Sequence, residues 1–141
     1  MPATHHVGIT VADLDRAVEF YSDTFDFEVS SRFSVSGAAF ETGVDVPDAA
    51  AQFAHLDAGD CRLELVTYEP TGEDAAAEAV NDTGAKHVGF EVDDIEAFYA
   101  DLDDGVETIS EPQTTASGTT ILFVEDPEGN LIELLEPSSN N

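Results

Sequence analysis

Two stretches of this chain repeat each other. Residues 5–17 read HHVGITVADLDRA and residues 86–98 read KHVGFEVDDIEAF, and RLELVTYEP at 62–70 returns as LIELLEP at 131–137. A repeat of this length asks for two similar supersecondary units, neither able to bury both faces of its sheet alone. In the first copy Val7, Ile9 and Val11 alternate with His6, Gly8 and Thr10, the period of a half-buried strand. Asp13 then reads as an N-cap, and Leu14, Ala17, Val18 and Tyr21 follow at helical spacing as far as residues 24–26. Strands are predicted at 27–33, 53–57 and 61–68, with a strand fragment at 38–40 inside an otherwise irregular stretch from 34 to 52. The second copy predicts a strand at 86–92. A helix follows, carrying Ile95, Phe98, Tyr99 and Leu102 and capped by Asp93 or Asp94; with Asp93 as cap, Glu96 completes a capping box. A short strand at 106–109, a polar loop at 111–118 and a closing hairpin at 121–137 come next, the hairpin turning at Asp126-Pro127-Glu128-Gly129-Asn130.

The predicted fold is therefore α+β. Two βαβββ modules form a cupped mixed sheet with helices outside, in a single domain over residues 1–141. Module one covers about 4–68, a polar linker about 69–85 and module two about 86–137, with a short helix expected at 73–80 in the linker. The His-to-Glu interval is about a dozen residues longer in the first copy, which places an insertion between Ser34 and Gln52.

Four polar residues repeat with the modules: His6 with His87, and Glu64 with Glu133. Glu133 lies among apolar neighbours inside a strand, where a carboxylate costs free energy unless something pairs with it. A lone strand histidine is more often a satisfied core or surface group than a ligand. Two His–Glu pairs in register in a repeat are a different matter. His6, Glu64, His87 and Glu133 suit a divalent ion of borderline hardness (Zn, Ni, Co, Mn or Fe), with two positions left for water or substrate. His5, next to His6, is expected to face the helix side or the sheet edge. His55 is a candidate contact to the site, and Cys61 is expected to be buried.

Lys and Arg number 4 against 31 Asp and Glu, a formal charge of −27. Such a surface repels nucleic acid and anionic membranes, and it stays hydrated at high salt, so a halophilic source is expected. The single cysteine excludes an intrachain disulfide. No signal-like segment and no run of about 18 apolar residues is visible, so a cytoplasmic location is expected.

Taken together, His6-Val7-Gly8-Ile9, Asp13-Leu14, Phe20-Tyr21, Glu64, the 87–94 stretch, the 126–130 turn and Glu133 resemble the vicinal oxygen chelate superfamily. This is the group of glyoxalases, bleomycin resistance proteins and extradiol dioxygenases. The resemblance spans essentially the whole chain. It implies a metal held by His6, Glu64, His87 and Glu133, a small-molecule substrate, and a homodimer, side by side or with modules exchanged. It also implies a glyoxalase-like lyase or isomerase acting through an enediolate on adjacent substrate oxygens, with Glu133 and Glu64 as the catalytic carboxylates. Lactoylglutathione lyase and epimerase activities are the nearest variants. Two further activities stay open: sequestration of a small molecule, as in resistance proteins, and extradiol-type ring cleavage. Ring-cleaving relatives hold iron with two His and one Glu, a pattern that does not need Glu64. With only Arg16, Arg32, Arg62 and Lys86 available, the chain departs from relatives that grip glutathione through several cations.

Overall fold

The computed structural model describes residues 1–138, which divide into two compact units at residues 74 and 75. Each unit is a βαβββ module built on one mixed sheet. In module one, β1 (Val7–Thr10) is followed by α1 (Leu14–Phe25), β2 (Glu28–Ser36), α2 (Ala38–Val44), β3 (Ala50–Asp57) and β4 (Arg62–Glu69). The sheet order is β1-β4-β3-β2, with β1 parallel to β4 and the other pairs antiparallel. In module two, β5 (His87–Glu91), α3 (Ile95–Ala100), β6 (Glu107–Thr108), β7 (Gln113–Thr114), β8 (Thr120–Glu125) and β9 (Leu131–Glu136) follow the same plan. β5 is parallel to β9 and β8 antiparallel to it; β6 and β7 pair with β8 in succession, as one edge strand interrupted at 109–112.

Helices α1 and α3 start at caps that the sequence offers. Asp13 accepts a hydrogen bond from the Arg16 amide at 3.0 Å, and Asp26, at φ 59°, ends α1 in the left-handed region. α1 buries Leu14, Ala17 and Tyr21 and packs on β3 and β4, whose Leu56, Leu63 and Leu65 are fully buried. In module two Asp94, not Asp93, is the cap, accepting from the Ala97 amide at 3.0 Å. That register leaves Glu96 outside a capping box. The carboxylate of Glu136, from β9, accepts from the Ile95 amide at 2.9 Å instead. Beneath α3 lies a core of Ile95, Leu122, Val124, Ile132 and Leu134.

Three local expectations are corrected. Residues 38–44 form a helix and not a strand fragment. Gly37, at φ 108°, turns the chain out of β2, and Phe40 seats the helix by stacking on Tyr68 and meeting Phe53 edge-on, with ring centroids 6.1 and 6.4 Å apart. No helix forms at 73–80: that stretch has no buried apolar face, and Val80 is exposed. Cys61 is half-buried, at the turn between β3 and β4. The hairpin turn forms as expected around Asp126, which is buried and accepts from the amides of Glu128 and Asn130, both at 2.9 Å. Among the described residues no helix is long and apolar enough to cross a membrane.

Candidate functional site

Each module presents one His–Glu pair on the sheet face away from its helix. In β4 the flanking Leu63 and Leu65 point into the core, which turns Glu64 to the opposite face. β1 runs parallel beside it with Gly8 opposite Glu64, and His6, just before β1, brings Nε2 to 3.5 Å from Glu64 Oε1. Module two repeats this: Ile132 and Leu134 point inward, Gly89 lies opposite Glu133, and His87 Nε2 stands 3.3 Å from Glu133 Oε1. A Cβ at Gly8 would meet Glu64 Oε1 at an ordinary 3.9 Å, whereas at Gly89 it would press on Leu135 Cδ1 at 3.3 Å.

These separations suit shared coordination. Two donors on neighbouring positions of one divalent ion, each bonded at about 2.0–2.2 Å, stand about 3.0–3.5 Å apart. Both pairs combine an imidazole nitrogen with a carboxylate oxygen, a donor set fitted to ions of intermediate softness. The histidines are the open side of each pair, 37% and 39% exposed, and the carboxylates are more sheltered, at 12% and 17%. Among the described residues no group of three or more His, Cys, Asp or Glu side chains is arranged to hold an ion; the four expected ligands occur as two pairs.

The surroundings of the two pairs differ. Opposite Glu64 on β3 stands His55, whose Nε2 lies 2.7 Å from Glu64 Oε2. Opposite Glu133 on β8 stands Phe123, whose ring contacts His87 at 5.2 Å between centroids. His55 is itself buried, with Phe33 packed edge-on against it at 5.0 Å. His5 does not turn to the helix side. It lies outside the β1 ladder, so strand alternation does not govern it, and its Nδ1 is 2.8 Å from His6 Nδ1. Its Nε2 is 2.8 Å from Arg62 Nη1. A guanidinium only donates, so His5 Nε2 is the acceptor there. The sequence carried a signal for Arg62, which shares the strand face of Glu64, but none for the turn of His5.

Along that face of module one the character changes from polar to apolar. The cross-strand pairs run Asp57 with Arg62, His55 with Glu64, Phe53 with Val66 and Ala51 with Tyr68. The apolar end is closed by Val35, Phe40 and Tyr68 packing on Ala51, Phe53 and Val66. A cavity of about 350 Å³ borders Val35, Ala51, Thr67 and Tyr68 but does not reach His6 or Glu64. In module two, a cavity of about 470 Å³ borders Glu91, Gly118, Glu136 and Ser138 and likewise leaves out His87 and Glu133. The 111–118 loop meets β8 with Thr114 opposite Thr120, which pairs with Glu136, three residues along β9 from Glu133.

Fold and repeated pairs together define a class of protein that comparison with known proteins makes specific. The chain belongs to the glyoxalase/bleomycin resistance protein/dioxygenase superfamily, whose family model matches residues 3–134. It is 29% identical to a 2-epi-5-epi-valiolone epimerase from an Actinomyces species, over 94% of this chain and 78% of that protein. It is 28% identical to a probable lactoylglutathione lyase from a Synechocystis species, over 95% of each. A solved glyoxalase family protein from Bacillus cereus superimposes with a TM-score of 0.86 at 25% identity, covering 99% of this chain and 96% of that one.

Proposed function

We propose that this chain is a metal-dependent lyase or isomerase of the glyoxalase type, moving a proton on a small substrate with two adjacent oxygens. The observation that carries the reading is the repeated His–Glu pair, with donors 3.5 and 3.3 Å apart in modules that share one plan. The similarity to an epimerase and to a probable lyase supports it, because both names describe rearrangement without net oxidation. In this reading His6, Glu64, His87 and Glu133 supply the ligands of one divalent ion, and the protein works as a cytoplasmic homodimer. The ion, when bound, polarises the substrate oxygens and acidifies the neighbouring C–H. Glu133 takes that proton at a carboxylate oxygen and returns it to the adjacent carbon or to the opposite face of the same one. Leu131 and Leu135, on the strand face of Glu133, limit water beside the base.

The test combines elemental analysis with isotope exchange. Purified protein should hold a divalent transition ion. In D2O the loaded protein should exchange the C–H beside the carbonyl of a methylglyoxal hemithioacetal or of an epimerisable 2-methyl thioester. Light scattering checks the dimer. Oxygen uptake with a catechol would instead assign a dioxygenase. A second reading is small-ligand sequestration, supported by the matched superfamily, which also contains bleomycin resistance proteins. Tight binding of a small ligand with no exchange on any of these substrates would establish it and overturn the first.

A further inference from the structure

Cations are scarce here, and the fate of each is informative. Arg32 is spent on Asp15, at 2.7 Å. Arg62 is different: its guanidinium meets the imidazole of His5, and among the described residues no carboxylate pairs with it. This is unexpected in a chain with 31 acidic residues. Asp57 stands directly across the ladder from Arg62, the place where a cross-strand ion pair forms most readily. Yet Asp57 Oδ1 turns back into the β3–β4 turn and accepts from the Gly59 amide at 3.0 Å. A hydrogen bond to an imidazole uses one of the five guanidinium N–H groups and leaves the others without a paired carboxylate among the described residues. Arg62 is solvent-exposed, so the remaining donors are open to a ligand.

Its position gives that charge a use. Arg62 and Glu64 are two residues apart on one face of β4, about 6.6 Å along the strand. His5 carries the line onward, with its ring 5.1 Å from that of His6. Arg62, His5, His6 and Glu64 therefore form a continuous row, cationic at one end and metal-ligating in chemistry at the other. We propose that Arg62, with His5 beside it, is an anion subsite recognising a carboxylate of the substrate. The substrate class would be a small acid in which a carboxylate lies about two or three bonds from the pair of adjacent oxygens. The planar guanidinium fork matches a carboxylate bidentately, and a bond charged on both sides is among the stronger ones. As a substrate subsite it rests on the proposed function; as an anion site it stands alone.

The experiment separates the two. Metal-free protein, stripped with chelator, is titrated with succinate and with its neutral diamide, and the His5 ring and Arg62 Nε–H signals are followed by NMR. Succinate should shift both saturably, and the diamide should not. Arg62→Gln should abolish the His5 shift, whereas Arg32→Gln, which removes the same charge elsewhere, should keep it. An absent shift, or one unchanged in Arg62→Gln, overturns the subsite. Zinc-loaded protein is then titrated with malate and lactate by calorimetry. Both present a hydroxyl beside a carboxylate, and only malate has a second carboxylate. Malate should bind about tenfold tighter or more, and Arg62→Gln should erase that preference while zinc affinity holds. A preference that survives in Arg62→Gln places the anion end elsewhere and overturns the proposal. Failure of zinc, nickel, cobalt, manganese and iron(II) alike to bind defeats the proposed function, and the succinate result still decides Arg62.

Discussion

His55 Nε2 stands 2.7 Å from Glu64 Oε2, and both side chains are nearly nine-tenths sheltered from water. The contact arises because β3 and β4 pair residue for residue at this point, with His55 directly opposite Glu64. Glu64 is thus addressed at both oxygens, by His6 on one and His55 on the other. Glu133 meets His87 alone among the described residues, because the cross-strand position is Phe123. One carboxylate is held from two sides and its repeat partner from one.

This difference predicts how the proposed metal site responds to a change at His55. Partners that orient a ligand without touching the ion typically carry about 10–100-fold in affinity. His55→Phe, which installs the residue of the other module, should weaken divalent-ion binding by about that factor. Titration calorimetry with zinc checks it. Unchanged affinity would show that Glu64 orients itself without help.

The closing hairpin makes a prediction about stability alone. Asp126 is 5% exposed, and besides two amides it accepts from Asn130 Nδ2 at 2.9 Å. Asp126→Ala leaves those donors without their acceptor. Each charge-assisted bond is worth about 1.5–3 kcal/mol, and relaxation recovers part of the loss, so about 2 kcal/mol or more should disappear. Urea unfolding should show a lower midpoint with an unchanged slope.

How far the sequence led depends on where each residue's constraint comes from. The repeat and the Asp13 cap were legible, as was the inward turn of the leucines around Glu64 and Glu133. Each of these follows from local period or cap chemistry within one element. The helix at 38–44 was not legible, because its anchor is the packing of Phe40 on Tyr68 and Phe53, contacts made across the chain rather than within the segment. Choosing Asp94 over Asp93 as cap likewise depends on Glu136 arriving from β9. At the site, the His–Glu pairs could be read from the repeat. The clamp on Glu64 could not, since it needs the β3–β4 register, nor could the contacts of His5 with His6 and Arg62, since His5 lies past the end of the β1 ladder.

The charge balance predicts the response to salt. A formal charge of −27 spread over a small fold repels itself, and salt screens that repulsion. Between about 0.1 M and 1 M the Debye length falls from about 10 Å to about 3 Å. Thermal midpoints should climb substantially over that range in sodium chloride. A flat profile would mean that the acidic groups are too far apart, or too well paired, for self-repulsion to matter.

The unequal grip on the two carboxylates bears on which of them would move the proton in the proposed reaction. A base that doubles as a ligand must let go of the ion before it is basic enough to act. Glu64, held at its second oxygen by His55, is the poorer candidate to let go; Glu133, without such a partner among the described residues, is the better one. Glu133→Gln keeps the shape and one acceptor oxygen while removing the titratable group. With metal saturating, proton transfer should fall by about 100-fold or more, the usual contribution of a general base. Glu64→Gln, run beside it, should lower metal affinity more than it lowers the saturated rate. Phe123→His supplies the converse, since an imidazole opposite Glu133 would reproduce the clamp of module one and should slow turnover without removing any ligand. If metal-saturated Glu133→Gln turns over at the parent rate while Glu64→Gln does not, the base belongs to module one, and the His55 contact orients a base rather than a ligand.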